Sequence, residues 1–440
     1  MNIVPTQTNS TNMDTDQAYR YWRIQLMVSM YVGYAVFYFT RKSYNFALPG
    51  MLIDLGMDYS DFGLLGTMFY LTYGVSKFVS GLMIDRSRSR YFMGLGLIAT
   101  GIVNIAFGFS SSLLAFTLLW TINAFFQGWG WPACAKILTS WYSRSERGFW
   151  WSIWNTCHNL SGALIPITIG FISLNFGWRY GFIVPGCGAV LVGIWLCYRI
   201  QEKPTHIGLP SVGQWRNDSL ELEHEKEGQG LSFNVAVYRY VLTNRYIWLL
   251  CGSYLLVYVV RIAINDWGAL YLVERHSYDV LSANSAVSMF EVGGFLGSLF
   301  GGWGSDQYFH GNRAPMNLIF ALGIFASVAA LWLTPVQHIG FLAGCFFCIG
   351  FFVFGPQMMI GMAAAECARK DLAGTATGFI GLFSYFGAAL ASYPMSLAIE
   401  HWGWEGFFCL ITAAAAVISL QLLPFIKAQQ PSSDDELPIS

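Results

Sequence analysis

Arg41 and Arg261 stand deep inside two long apolar runs, near 24–48 and 246–272. An ionised side chain at the centre of a membrane helix costs about 2.5–3.5 kcal/mol or more, so each is expected to face the interior of a helix bundle. Each belongs to a repeated stripe, Tyr34-x3-Tyr38-x2-Arg41-x3-Asn45 and Tyr254-x3-Tyr258-x2-Arg261-x3-Asn265. On a helix the spacing i, i+4, i+7, i+11 is one face. Two such faces turned toward one cavity bring two guanidiniums together, and these repel unless an anion lies between them. The planar fork of arginine suits a phosphoryl group, which accepts bidentate hydrogen bonds from each side. The tyrosine hydroxyls and asparagine amides supply donors for the remaining oxygens. The alternative is that each arginine pairs with an internal carboxylate. Asp266 and Glu291 are the candidates, as standing partners or as partners only while the site is empty; Arg41 has Lys42, not an acid, as its neighbour.

Further polar residues interrupt other apolar runs. Lys77 in the second run either steers an anion inward or snorkels its ammonium to the surface. His158 lies in the fifth run beside Asn155 and Asn159. Imidazole titrates near neutrality, so His158 follows substrate charge, bonds a substrate oxygen, or is simply a satisfied core residue. Gly81-x3-Asp85 followed by Arg86, Arg88 and Arg90 sits in a loop, where the aspartate can accept bonds at a neighbouring helix N-terminus and the arginines meet lipid headgroups or acids. Its expected role is conformational. Gln127-Gly-Trp-Gly-Trp-Pro132 combines small residues with a proline and predicts a kink or close helix approach, with Gln127 and Trp131 as possible cavity residues.

The elements that must position these residues follow from the composition: 55% of the 440 residues are hydrophobic and 11% charged, against about 25% charged in soluble domains. A helix needs about 20 mostly apolar residues to cross the hydrocarbon core. Twelve such spans are predicted, near 24–48, 61–84, 91–110, 113–139, 148–172, 178–200, 246–272, 280–303, 314–335, 338–365, 374–398 and 404–427. The chain therefore divides into an N-terminal segment 1–23, a six-helix bundle 24–200, a polar linker 201–244, a second bundle 245–427 and a disordered tail 428–440. No cleavable signal peptide is visible. Lys and Arg concentrate in the loops on one side, including Arg86, Arg144, Arg147, Lys203, Arg313, Arg369 and Lys370, which places both termini in the cytoplasm of a bacterial inner membrane.

The halves repeat. Gly81-x3-Asp85 recurs as Gly302-x3-Asp306, and Gly148 and Gly177 recur as Gly374 and Gly403. Two six-span halves in parallel repeat are the architecture of the major facilitator fold, all-α, with the substrate near midplane between them. The net charge of −1 offers no basic field for nucleic acid. Nine scattered cysteines argue against a disulfide framework, and Cys345-x2-Cys348 reads as packing inside one helix. No enzyme, metal or cofactor motif is present in the sequence.

A specific resemblance rests on five segments of the first half: Phe37-Tyr-Phe-Thr-Arg41-Lys-Ser-Tyr-Asn-Phe, Tyr73-Gly-Val-Ser-Lys77-Phe, Gln127-Gly-Trp-Gly-Trp-Pro132, Ser145-Glu-Arg-Gly148 and Trp154-Asn-Thr-Cys-His158-Asn. With Val259-Val-Arg261-x4-Asp266-Trp in the second half, the chain resembles the organophosphate:phosphate antiporter family over essentially all twelve spans. The resemblance implies exchange of a sugar phosphate for inorganic phosphate. Arg41 and Arg261 would be its phosphate-binding arginines, and Lys77, His158, Tyr38 and Tyr73 substrate contacts. Within the family the chain is most similar to the hexose-phosphate branch. That branch holds both carriers and a glucose 6-phosphate receptor that signals to a membrane histidine kinase. Span eleven departs from the hexose-phosphate carrier in having no charged residue between Thr375 and Leu397.

Overall fold

The computed structural model describes residues 10–55, 59–86, 89–226, 233–278, 280–310, 312–334, 338–368 and 370–428. The tail from 429, the first nine residues, Arg88 and Arg369 lie outside the described residues, as does the side chain of Asn45. All regular structure among the described residues is helical. Twelve spans are formed among the described residues, and several depart from simple rods. Span one is a single helix, Ser10–Leu55, of 46 residues. At 1.5 Å per residue it is about 69 Å long, more than twice the hydrocarbon thickness, and it includes much of the predicted N-terminal segment. The extension is held by the linker: the Tyr19 hydroxyl donates to Pro210 O, and its ring stacks on Trp215 at 4.1 Å.

Span four breaks where Gln127-Gly-Trp-Gly-Trp-Pro predicts, into Leu113–Gln127 and Gly130–Trp141. Gln127 stabilises this break by donating to Phe37 O and the Thr40 hydroxyl of span one. Spans five and eleven are broken as well; Pro394 marks the second break, whereas neither Gly nor Pro stands at the first. Span five is Arg144–Asn155 and Cys157–Phe176, jointed at Thr156. Span eleven is Ala373–Leu390, and its outer part continues from Tyr393 to a sharp turn at Gly403 (φ 64°), where span twelve begins. Seven of the described helices are by themselves long and apolar enough to cross a membrane. Span four falls outside that set because its pieces have only 15 and 12 residues.

The linker is folded, with short helices at Val212–Arg216, Ser219–Lys226 and Phe233–Val237 packed under the bundle. It and the start of span one mark one end of the molecule, the linker end. There the halves meet along two matched seams, span two on span eleven and span five on span eight. A Cβ on Gly81 would come within 2.4 Å of Gly374 O, and one on Gly302 within 2.4 Å of Gly148 O, so only glycine allows either approach. Across the first seam the Asp85 carboxylate accepts the backbone N–H groups of Gly374 (3.2 Å) and Thr375 (2.6 Å). Across the second, Asp306 accepts the N–H of Phe149 at 2.7 Å. Asp85 therefore binds the positive N-terminal end of span eleven, which belongs to the other half, whereas Asp306 reaches a backbone N–H beyond the first turn of Arg144–Asn155.

An ion cluster lies behind the second seam. Arg147 pairs with Glu221 of the linker (2.8 Å) and with Glu366 (3.3 Å); Arg313 pairs with Glu366 (3.2 Å) and with Asp306. These four ion pairs join both halves and the linker, so the linker end is closed. Arg86 takes no part in it. Its guanidinium stacks 4.1 Å over Phe233 and bonds Asn234, both of the linker.

Candidate substrate-binding site

Span one presents Tyr34, Tyr38 and Arg41 on one face, as the spacing predicts, and that face looks into the space between the halves. The Arg41 guanidinium lies 4.2 Å over the Tyr38 ring and 5.0 Å over Tyr73 of span two. It makes one hydrogen bond, to the Tyr385 hydroxyl of span eleven at 2.9 Å, while its Nε and Nη2 are buried without a partner. Span seven presents the counterpart. Arg261 lies 4.8 Å over Phe354 of span ten and 5.5 Å over Tyr258, and its side chain also interacts with Tyr38. Tyr38 is thus shared by both arginines.

Lys77 does not snorkel. It is 1% exposed, with its ammonium 4.9 Å from the Trp131 ring, 5.4 Å from Tyr385 and 5.9 Å from Tyr254. Both arginines act on it electrostatically. Three cations therefore converge on one chamber walled by tyrosines. Among the described residues, none of the three forms an ion pair with a carboxylate.

The two intramembrane carboxylates are engaged otherwise. Glu291 accepts the Asn159 amide at 2.8 Å and lies within electrostatic reach of Arg261. Asp266 accepts the amide of its neighbour Asn265 at 2.7 Å and faces Lys42. Asn265 therefore braces a carboxylate, and among the described residues its amide forms no hydrogen bond with Arg261. Four cations, Arg41, Lys42, Lys77 and Arg261, stand against two carboxylates, and the excess positive charge matches a phosphoryl dianion. His158 is buried, 5.4 Å from the Tyr38 ring and 6.3 Å from Trp131, with Gln357 Nε2 at 3.3 Å. Asn155 is fully buried one turn before it.

Among the residues expected to act together, Arg41, Arg261, Lys77, His158, Tyr38, Tyr73 and Tyr258 come together around the chamber. Asp85, Arg86 and Asp306 lie away from it, at the linker end. Tyr385 was missed by the sequence reading, although it links the halves: its ring lies 4.1 Å from Tyr73 and 5.5 Å from Tyr258 while its hydroxyl holds Arg41. A signal for it exists, because the shift that pairs Gly148 with Gly374 also pairs Asn159 with Tyr385. Phe354 and Gln357, both in an uncharged stretch of span ten, were missed as well.

The geometry is that of a polar chamber at the junction of two six-span halves, and comparison with known proteins agrees with it. The family model described as Major Facilitator Superfamily matches residues 30–392. The chain is 58% identical to the protein named membrane sensor protein UhpC of Escherichia coli (strain K12), over 95% of each chain. It is 48% identical to a probable hexose phosphate transport protein of Chlamydia trachomatis serovar D, over 94% of this chain and 93% of that one. Among solved structures, the proton:xylose symporter XylE shares the fold, with a TM-score of 0.74 at 12% identity over 92% of this chain and 96% of that one. The names of the relatives describe sensing and transport, not catalysis. The chain is a multi-pass membrane protein that belongs to the Major Facilitator Superfamily.

Proposed function

We propose that the chain carries hexose phosphate into a bacterial cell in exchange for inorganic phosphate, by alternating access to the single central chamber. The observation that carries this reading is a set of cations that form no ion pair with a carboxylate among the described residues: Arg41, Arg261 and Lys77, with the Tyr38 ring shared by the two arginines. Cations held in that way are at rest only with an anion among them, and the two arginine forks provide the bidentate donors that a phosphoryl group accepts. Inorganic phosphate and a phosphomonoester present the same dianionic head, so one cradle serves both directions of an exchange. The linker end faces the cytoplasm of the inner membrane. Opening toward that side requires both aspartate seams and the Arg147–Glu366–Arg313 cluster to part, while the halves rock about the chamber.

A second reading is favoured by one observation, the 58% identity to a protein named as a sensor. In it the same chamber binds hexose phosphate and the seams report occupancy to a membrane histidine kinase at the cytoplasmic face. The readings separate in liposomes loaded with inorganic phosphate. Carriage predicts uptake of labelled glucose 6-phosphate that depends on internal phosphate. Tight binding with no exchange rejects carriage and leaves the receptor.

A further inference from the structure

The wall beside the cation cradle is of a different chemical kind. Gln357 on span ten is 1% exposed, and its Nε2 lies 3.3 Å from His158 Nε2 on span five. Gln357 Oε1, His158 Nδ1, both amide atoms of Asn155 and the indole nitrogen of Trp131 are all buried with no partner. A buried polar group left unbonded costs about 1–3 kcal/mol, so packing alone does not account for several around one imidazole. The groups are neutral and offer donors and acceptors together, and the imidazole among them meets the Trp131 ring at 6.3 Å with the two planes nearly perpendicular. This is the chemistry that recognises a hydroxylated ring, not a phosphoryl group. The patch adjoins the cradle on two sides. The Tyr38 ring lies 5.4 Å from His158 and 4.2 Å from Arg41, and Phe354 lies 6.2 Å from His158 and 4.8 Å from Arg261.

We infer that Gln357, with His158 and Asn155, forms a subsite for the polyhydroxylated body of the substrate and sets the preference for a sugar phosphate over bare phosphate. The inference rests on the reading of the arginine cradle as the phosphate site. Inorganic phosphate fills the cradle alone, whereas a sugar phosphate fills both and gives the orphan amide and imidazole atoms their partners. Gln357 is then a specificity residue: it adds binding only for ligands that carry hydroxyls.

The test is displacement of labelled inorganic phosphate from the purified, full-length protein. In Gln357→Leu, glucose 6-phosphate affinity falls about five- to thirty-fold, the loss of one or two buried hydrogen bonds, while phosphate affinity stays within about two-fold. Analogues of glucose 6-phosphate lacking one ring hydroxyl at a time are measured on the unaltered protein, which removes any dependence on the variant folding. At least one of them loses a comparable factor, and Gln357→Leu binds that analogue and the parent alike. Equal weakening of both ligands in Gln357→Leu overturns the subsite, and so does a series in which every deoxy analogue binds like the parent. If the unaltered protein binds neither glucose 6-phosphate nor phosphate, the cradle itself fails, an outcome distinct from phosphate binding without sugar discrimination.

Discussion

The molecule buries arginines in two places and treats them in opposite ways. At the linker end Arg147 and Arg313 share Glu366, and each has a further carboxylate, Glu221 or Asp306. In the central chamber Arg41 and Arg261 have aromatic faces and a tyrosine hydroxyl but no ion-paired acid among the described residues. A paired buried cation fixes an arrangement of helices, because breaking the pair leaves an uncompensated charge. An unpaired one holds a place for a charge that comes and goes. The first cluster joins segments of the chain, and the second waits for a ligand.

The largest effect that can test this contrast is on stability. Glu366→Ala leaves two guanidiniums at the linker end with one acid fewer, and the expected loss is about 3–5 kcal/mol, read as a lowered unfolding midpoint in detergent. Arg41→Ala removes a charge with no acid beside it, so its midpoint in phosphate-free buffer should hold or rise. Equal destabilisation by the two substitutions would erase the distinction. Next comes affinity. Arg41→Lys or Arg261→Lys keeps the charge and loses the fork, removing about 2–4 kcal/mol of charge-assisted bonding, or about 30- to 1,000-fold in phosphate affinity. Unimpaired binding in both would place the anion elsewhere. Lys77→Gln removes a point charge without a fork and should cost less, about 1.5–3 kcal/mol in the same assay.

Legibility in the sequence follows the same division. The arginine stripes could be read because charge inside an apolar run is costly and its periodicity assigns a face. The repeat of Tyr-x3-Tyr-x2-Arg in both halves then brought the two faces together. Tyr385, Phe354 and Gln357 could not be read in the same way, since an aromatic or a single amide in a membrane helix is ordinary composition. Only three-dimensional proximity distinguishes them. Lys77 was ambiguous because its long stem reaches either the surface or the chamber, and the ring faces of Trp131 and Tyr385 decide for the chamber. The linker appeared as a polar break between the halves, yet Glu221 is buried in the ion cluster. Its partner Arg147 is far off in sequence, and no local pattern carries such a pairing. The joint of span four could be seen from Gly128, Gly130 and Pro132, whereas that of span five falls at Thr156, with neither Gly nor Pro to mark it.

The smallest effect separates the two seams from each other. Asp85 and Asp306 occupy matched positions in the repeat, and each receives backbone N–H groups from a helix of the opposite half. Asp306 also pairs with Arg313 and so belongs to the ion cluster, while Asp85 bonds the backbone and the Thr375 side chain of span eleven, with Lys136 as its nearby cation. Replacing Asp85 by Asn removes the negative charge from the N-terminus of span eleven, worth about 0.3–1 kcal/mol at such an end. Asp85→Asn should therefore shift the balance between closed and open linker ends by a few-fold at most, read from distances between spin labels on spans two and eleven. Asp306→Asn should shift it further, because it also leaves Arg313 with one acid fewer in a buried cluster. Equal shifts from the two would mean that the ion cluster adds nothing to closure beyond what a helix cap provides, and the linker-end arginines would then be packing elements, not part of the latch.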